Sequence, residues 1–198
     1  LRRAISAGEF VLHYQPKVDA LTGHVTAFEA LVRWEHPVRG LVPPNDFIPI
    51  AESTGLIGPL TQWVVDSALT QLAEWSLTRP GLSVAVNISA RNLRDDLPGW
   101  LLNRLAAHRV KAAQLVLEIT ETSFATDPVR ATALLEELSA AGVKVSLDDF
   151  GQGYTSLGSL GHLPVSELKI DRGFVVAMQR SQEDRAIVAS VIELGHQL

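Results

Sequence analysis

Five stretches of the chain place an acid, an amide or a lysine at or near the end of an apolar run. They carry Glu29, Asn87, Glu118, the adjacent Asp148 and Asp149, and Lys169 with Asp171 two residues on. Glu29, Asn87, Glu118 and Asp148 offer only oxygen, which suits Mg²⁺, Mn²⁺ or Ca²⁺ rather than softer metals. Neighbouring Asp148 and Asp149 can hold two cations if one carboxylate bridges. Paired cations about 3.5–4 Å apart typically cleave phosphodiesters with an activated water. Zinc chemistry has little support: there is no cysteine, and the six histidines form no HxxH or HExxH pair.

Each position alone has a plainer explanation. A glutamate near a strand end is usually solvated. Asn87 can cap a turn, Asp148 and Asp149 can cap a helix, and Lys169 and Asp171 can form an exposed ion pair. Five such positions on five successive strands favour one shared site.

The elements that must position these groups alternate. Strands are expected at 10–18, 25–34, 82–88, 115–119, 143–147 and 165–170. Helices are expected at 2–7, 46–52, 57–76, 97–108, 128–141 and 183–198, with a Pro- and Gly-rich loop over 36–45. The turn joining the first two strands is too short for a parallel crossover, so that pair should be antiparallel. The later strand–helix units predict a parallel sheet covered by helices. Periodicity alone leaves a closed barrel and an open doubly wound sheet both standing. In a parallel barrel the C-terminal strand ends meet on one face, where active sites lie. That would gather the five positions.

The bulk properties exclude other classes. The chain has 198 residues, a net charge of −5 and 46% apolar residues, which fits one globular domain with a full core. No Lys/Arg block suits duplex nucleic acid. An acidic protein can still bind a small phosphodiester if cations supply the positive charge. No apolar run reaches the roughly 18 residues of a membrane span, and a cytoplasmic location is expected, with membrane contact only through segments outside this sequence.

With those residues in place, the chain resembles the EAL family. Its signature is Glu29-Ala30-Leu31, within Phe28-Glu29-Ala30-Leu31-Val32-Arg33-Trp34. A bare triplet carries no weight, but the set around it is specific. It comprises Tyr14-Gln15-Pro16, Val86-Asn87-Ile88-Ser89, Leu117-Glu118-Ile119-Thr120-Glu121, Asp148-Asp149-Phe150-Gly151, Gly153-Tyr154-Thr155-Ser156-Leu157 and Leu168-Lys169-Ile170-Asp171.

The resemblance implies an α/β fold: a modified TIM-type (β/α) barrel with one antiparallel strand among the first pair. It implies hydrolysis of cyclic di-GMP to linear pGpG with Mg²⁺ or Mn²⁺, two ions in the intact domain. Glu29, Asn87, Glu118 and Asp148 would hold the first metal, and Asp148 and Asp149 would share the second. Lys169 would hold or polarise the attacking water, and Asp171 would orient Lys169 or the metal shell. Gln15, Leu31 and Arg33 would contact substrate. Glu121 would brace the loop over 150–156, through which a homodimer is expected.

Relative to the family pattern, the chain stops before a strand ending in E-G-V-E and before a later Gln-Gly pair. The last strands of the barrel are therefore expected to be absent, leaving an unpaired sheet edge and little activity in these 198 residues alone. An upstream GGDEF or sensor domain is also expected. The competing function is a sensor that binds cyclic di-GMP without hydrolysing it. A protein-contact scaffold is a third reading, but it leaves the convergent acids unexplained.

Overall fold

The computed structural model describes residues 1–124, 127–151, 160–161 and 163–197. Helix α1 (Arg2–Ala7) ends at Gly8 in a left-handed conformation and leads into β1 (Phe10–Val18). Strand β2 (Val25–His36) returns antiparallel to β1. The turn between them is tied by Asp19, whose Oδ1 accepts from the Leu21 and Thr22 amides at 3.1 and 2.7 Å. The expected antiparallel first pair is present.

The segment expected as a loop contains a short strand, β3 (Gly40–Val42), folded back on β2. His36 Nδ1 accepts from the Val38 and Arg39 amides and so closes the hairpin. Gly40, at φ 70°, supplies the left-handed residue that the turn requires. Its Pro- and Gly-rich composition hid this pairing.

Helices α2 (Pro44–Ser53) and α3 (Ile57–Ser76) follow, then β4 (Ser83–Asn87) and α4 (Leu97–His108). After them come β5 (Leu115–Thr120), α5 (Pro128–Ala140), β6 (Lys144–Phe150) and β7 (Glu167–Ile170). Helix α6 (Arg172–Ala177) was not expected. It contains Gly173 and two valines, all weak helix formers, and starts because Asp171 accepts from the Gly173 amide at 2.8 Å. Helix α7 (Gln182–Gln197) completes the described elements.

The strands form one sheet in the order β1-β2-β4-β5-β6-β7, with β3 on β2. From β2 through β7 the ladders along that order are parallel. No ladder joins β1 to β7 among the described residues, so the sheet is not closed. It is nevertheless curled, because Lys17 on β1 donates to Glu167 on β7 at 2.6 Å.

The two faces of the sheet follow from strand alternation. Tyr14 and Phe28 stack on Trp75 of α3, with ring centroids 4.8 and 4.6 Å away, so their face is the one covered by helices. The alternate residues, Gln15, Lys17, Glu29, Leu31 and Arg33, face the interior of the curl. Leu69, Leu72, Val84, Val86, Leu101, Leu117 and Leu147 are fully buried between sheet and helices. At roughly 1.5–3 kcal/mol for each large apolar side chain, this layer supplies the main stabilisation and fixes the strand register. A smaller aromatic cluster of Phe10, Trp34, Phe47 and Trp63 anchors α2 and α3 to the start of the sheet.

Candidate active site

Register brings the expected residues into line. Asn87 pairs with Glu118, Glu118 with Ser146, and Ser146 with Glu167 across successive parallel ladders. Two residues along, Thr120 pairs with Asp148. Gln15 pairs with Glu29 on the antiparallel side.

The polar side chains then converge on Lys169. Its Nζ donates to Glu29 Oε2 at 3.2 Å, Glu118 Oε2 at 2.8 Å and Asp148 Oδ2 at 3.0 Å. Asn87 Nδ2 donates to the other Glu29 oxygen at 2.9 Å. One hydrogen-bonded group thus joins Glu29, Asn87, Glu118, Asp148 and Lys169 from five strands.

The electrostatics follow from this packing. Burial pulls the Lys169 ammonium down, but its three carboxylate partners, Glu118 foremost, hold it above the usual lysine range. Burial pushes Glu29 up, yet the Asn87 hydrogen bond and the Lys169 charge leave it below the usual carboxylate value. Glu118 is 1% exposed, and burial keeps it above the usual value despite two lysine partners.

Adjacent strand residues normally point to opposite faces, so two neighbouring aspartates should not share a site. A bulge changes this. On β6, Leu147 pairs with Leu168 and Phe150 with Ile170, so Asp148 and Asp149 together oppose Lys169. Asp149 takes up the extra residue with a left-handed backbone, φ 55°. Its amide donates to Asp148 Oδ1 at 3.0 Å. Burial, then the Asp148 and Asp171 charges, raise its carboxyl above the ordinary value. The aspartates lie within β6, which runs on to Phe150, three residues past the expected end of the strand at Leu147.

Beside this group lies a cavity of about 820 Å³, within the range of small-ligand sites. Glu29, Asn87 and Glu118 line it, as do Leu31 and Arg33 from β2. Apolar side chains including Ile48, Leu60 and Val64 form another part of its wall, and Arg91 adds a second guanidinium. Gln15 and Asp171 are not among its lining residues. Asp171 caps α6. Glu121 is 3% exposed, immediately after β5. The loop it was expected to brace falls mainly in 152–159, outside the described residues.

Sequence reasoning missed several polar groups. Lys17 Nζ donates to Glu118 Oε1 at 2.7 Å, and Ser146 Oγ donates to Glu167 Oε1 at 2.9 Å. Their signal was alternation: Lys17 has the same parity as Gln15, and Ser146 and Glu167 continue the Asn87–Glu118 register. Arg91 carried no such signal. Neither did Glu52, whose Oε1 accepts from Ser89 Oγ at 2.6 Å at the cavity wall.

As a donor set, three carboxylates and an amide oxygen suit a hard divalent cation. Among the described residues, however, no three acids or histidines form a ready cation cage by themselves. The three carboxylates point instead at the Lys169 ammonium.

A curled, mainly parallel α/β sheet with acids, an amide and a lysine gathered from successive strands beside a ligand-sized cavity defines a barrel-type domain built for polar chemistry. The chain belongs to the EAL domain family, whose model matches residues 1–198. It is 44% identical to the bifunctional diguanylate cyclase/cyclic di-GMP phosphodiesterase MucR of Pseudomonas aeruginosa over 200 residues, covering 100% of this chain and 29% of that protein. It is 37% identical to the cyclic di-GMP phosphodiesterase PdeR of Escherichia coli over 199 residues, covering 100% of this chain and 30% of that one. The chain therefore spans under a third of these relatives.

Among solved structures, the MucR phosphodiesterase complex with c-di-GMP superposes with a TM-score of 0.95 at 43% identity, over 99% of this chain and 80% of that one. The FimX EAL domain of Pseudomonas aeruginosa bound to c-di-GMP gives 0.88 at 27% identity, over 99% and 79%. No helix among the described residues is long and apolar enough to cross a membrane.

Proposed function

We propose that this chain carries a metal-dependent phosphodiesterase that opens cyclic di-GMP to linear pGpG, with Mg²⁺ or Mn²⁺. The observation that carries the reading is the convergence of Glu29, Glu118 and Asp148 on Lys169, with Asn87 on Glu29, beside a cavity that Glu29, Asn87 and Glu118 line. The names of its relatives MucR and PdeR support the substrate.

In this reading Glu29, Asn87, Glu118 and Asp148 would hold one cation, and Asp148 and Asp149 would take part in holding a second. Bound there, the cations would lower the pKa of a water and screen the phosphate charge. Lys169 would orient the attacking water, while Asp171 steadies the start of α6 beside it. Gln15, Leu31 and Arg33 contact the substrate, with Arg33 reaching a phosphate. Glu121 braces the loop after Gly151, through which two copies of the domain pair. A GGDEF or sensor domain upstream would regulate the site, and the domain would work in the cytoplasm.

The test is hydrolysis by the full-length protein with and without Mn²⁺, following pGpG by chromatography. Metal-dependent pGpG formation is expected. Tight cyclic di-GMP binding with no turnover in any divalent cation would instead make the chain a sensor.

A further inference from the structure

Glu118 has an ammonium on each carboxylate oxygen. Lys169 takes Oε2 at 2.8 Å, and Lys17 takes Oε1 at 2.7 Å. The Glu118 side chain is fully buried, so neither oxygen can fall back on bulk water.

Lys17 reaches Glu118 from the other end of the curl. It does not line the 820 Å³ cavity. It lines a separate depression with Ser83, Val116, Lys144 and Glu167, which lie at or near the starts of the parallel strands. Its ammonium is fixed there by Glu167 Oε1 at 2.6 Å, and Ser146 Oγ holds that same oxygen at 2.9 Å. The chain Ser146–Glu167–Lys17–Glu118 thus runs from one mouth of the sheet to the acid group at the other.

We propose that Lys17 is a positioning residue: by occupying Oε1 it turns a single oxygen of Glu118 toward Glu29, Asp148 and Lys169. The inference rests on the metal-dependent reading given above. Without Lys17, both Glu118 oxygens have one cationic partner left, Lys169. Glu118 would then grip that ammonium more tightly, and an incoming cation would have to compete with it. Partners behind a metal ligand commonly change metal affinity by about 10- to 100-fold when removed.

The experiment compares Lys17→Met, Lys17→Arg, Glu118→Gln and the Lys17→Met/Glu118→Gln double variant in the full-length protein. Calorimetry measures Mn²⁺ binding without nucleotide, and steady-state kinetics are taken at saturating Mn²⁺. Lys17→Met is expected to weaken Mn²⁺ about tenfold and lower kcat by a similar factor. KM for cyclic di-GMP should change less than about threefold, because Lys17 is off the cavity wall. Lys17→Arg should recover most of the loss. In the Glu118→Gln background, Lys17→Met should add less than about twofold, since the two residues act as one unit.

Unchanged Mn²⁺ affinity and kcat in folded Lys17→Met, or full additivity with Glu118→Gln, would overturn the proposal. If Lys17→Met does not fold, Glu167→Gln keeps the ammonium but loosens it. Weaker Mn²⁺ binding is then expected, and unaltered binding would overturn the proposal. A parent protein that binds no Mn²⁺ at all would overturn the metal reading together with this one. Normal binding that is indifferent to Lys17 would overturn this one alone.

Discussion

Lys169 and Glu118 lie 51 residues apart in sequence and meet at 2.8 Å, one partly exposed and the other sealed from solvent. The ammonium is the internal counter-cation for Glu29, Glu118 and Asp148. Removing one partner of such a buried group leaves uncompensated charge, which costs roughly 3–5 kcal/mol.

Lys169→Met should therefore lower stability by about 3 kcal/mol in urea unfolding. It should bind Mn²⁺ at least as tightly as the parent, because three carboxylates lose their competing ammonium. Turnover should still fall by about 100-fold or more. Weaker Mn²⁺ binding in this variant would show that Lys169 supports the metal site instead of competing for it.

Glu29→Ala removes the acceptor for Asn87 and one of three acceptors for Lys169. Glu29 is only partly buried, so the fold should survive. Hydrolysis by the full-length protein should be lost and Mn²⁺ binding weakened. Near-normal turnover in a folded variant would show that Glu29 is not a metal ligand.

Tyr14 lies against Trp75, and burial, helped by the Glu74 charge, pushes its phenol up to about 12. A raised phenol favours the neutral form in the folded state. Its contribution is complete below the unfolded value near 10 and is lost as pH rises through the folded one. Between pH 10 and 12 the parent should lose stability more steeply than Tyr14→Phe. Parallel declines in melting temperature for the two proteins would contradict the shift.

Gly151 combines φ 109° with a crowded site: a Cβ there would lie 2.8 Å from the Phe174 ring. Gly151→Ala should destabilise by about 1–3 kcal/mol. Adding Phe174→Ala should relieve the steric part and leave the backbone strain, so the double variant should be less than additive in urea unfolding. Strict additivity would mean the ring is not what the methyl meets.

Helix α3 and helix α4 were readable to the residue, because long amphipathic stretches carry their own period. The five polar strand ends were readable too, because parallel strands bring their ends together whatever their sequence separation. Three things were not. Strand β3 forms only because His36 and Gly40 close a hairpin, and its composition reads as loop. Helix α6 depends on the Asp171 cap more than on its own residues. Lys17 shares the parity of Gln15, but nothing local says that β1 and β7 face each other across the curl.

The pairing of Asp148 and Asp149 with one lysine bears on how this sheet tolerates insertions and deletions. Strand β6 carries two residues where β7 carries one. A chain lacking Asp149 would pair without interruption and would shed a left-handed residue that costs on the order of 1 kcal/mol. Folding alone favours that deletion. The demand for two neighbouring acids beside one ammonium opposes it. Loss of function by single-codon deletion at this point should therefore leave a protein more regular than its parent, and a screen that reads only expression or solubility would pass it as sound.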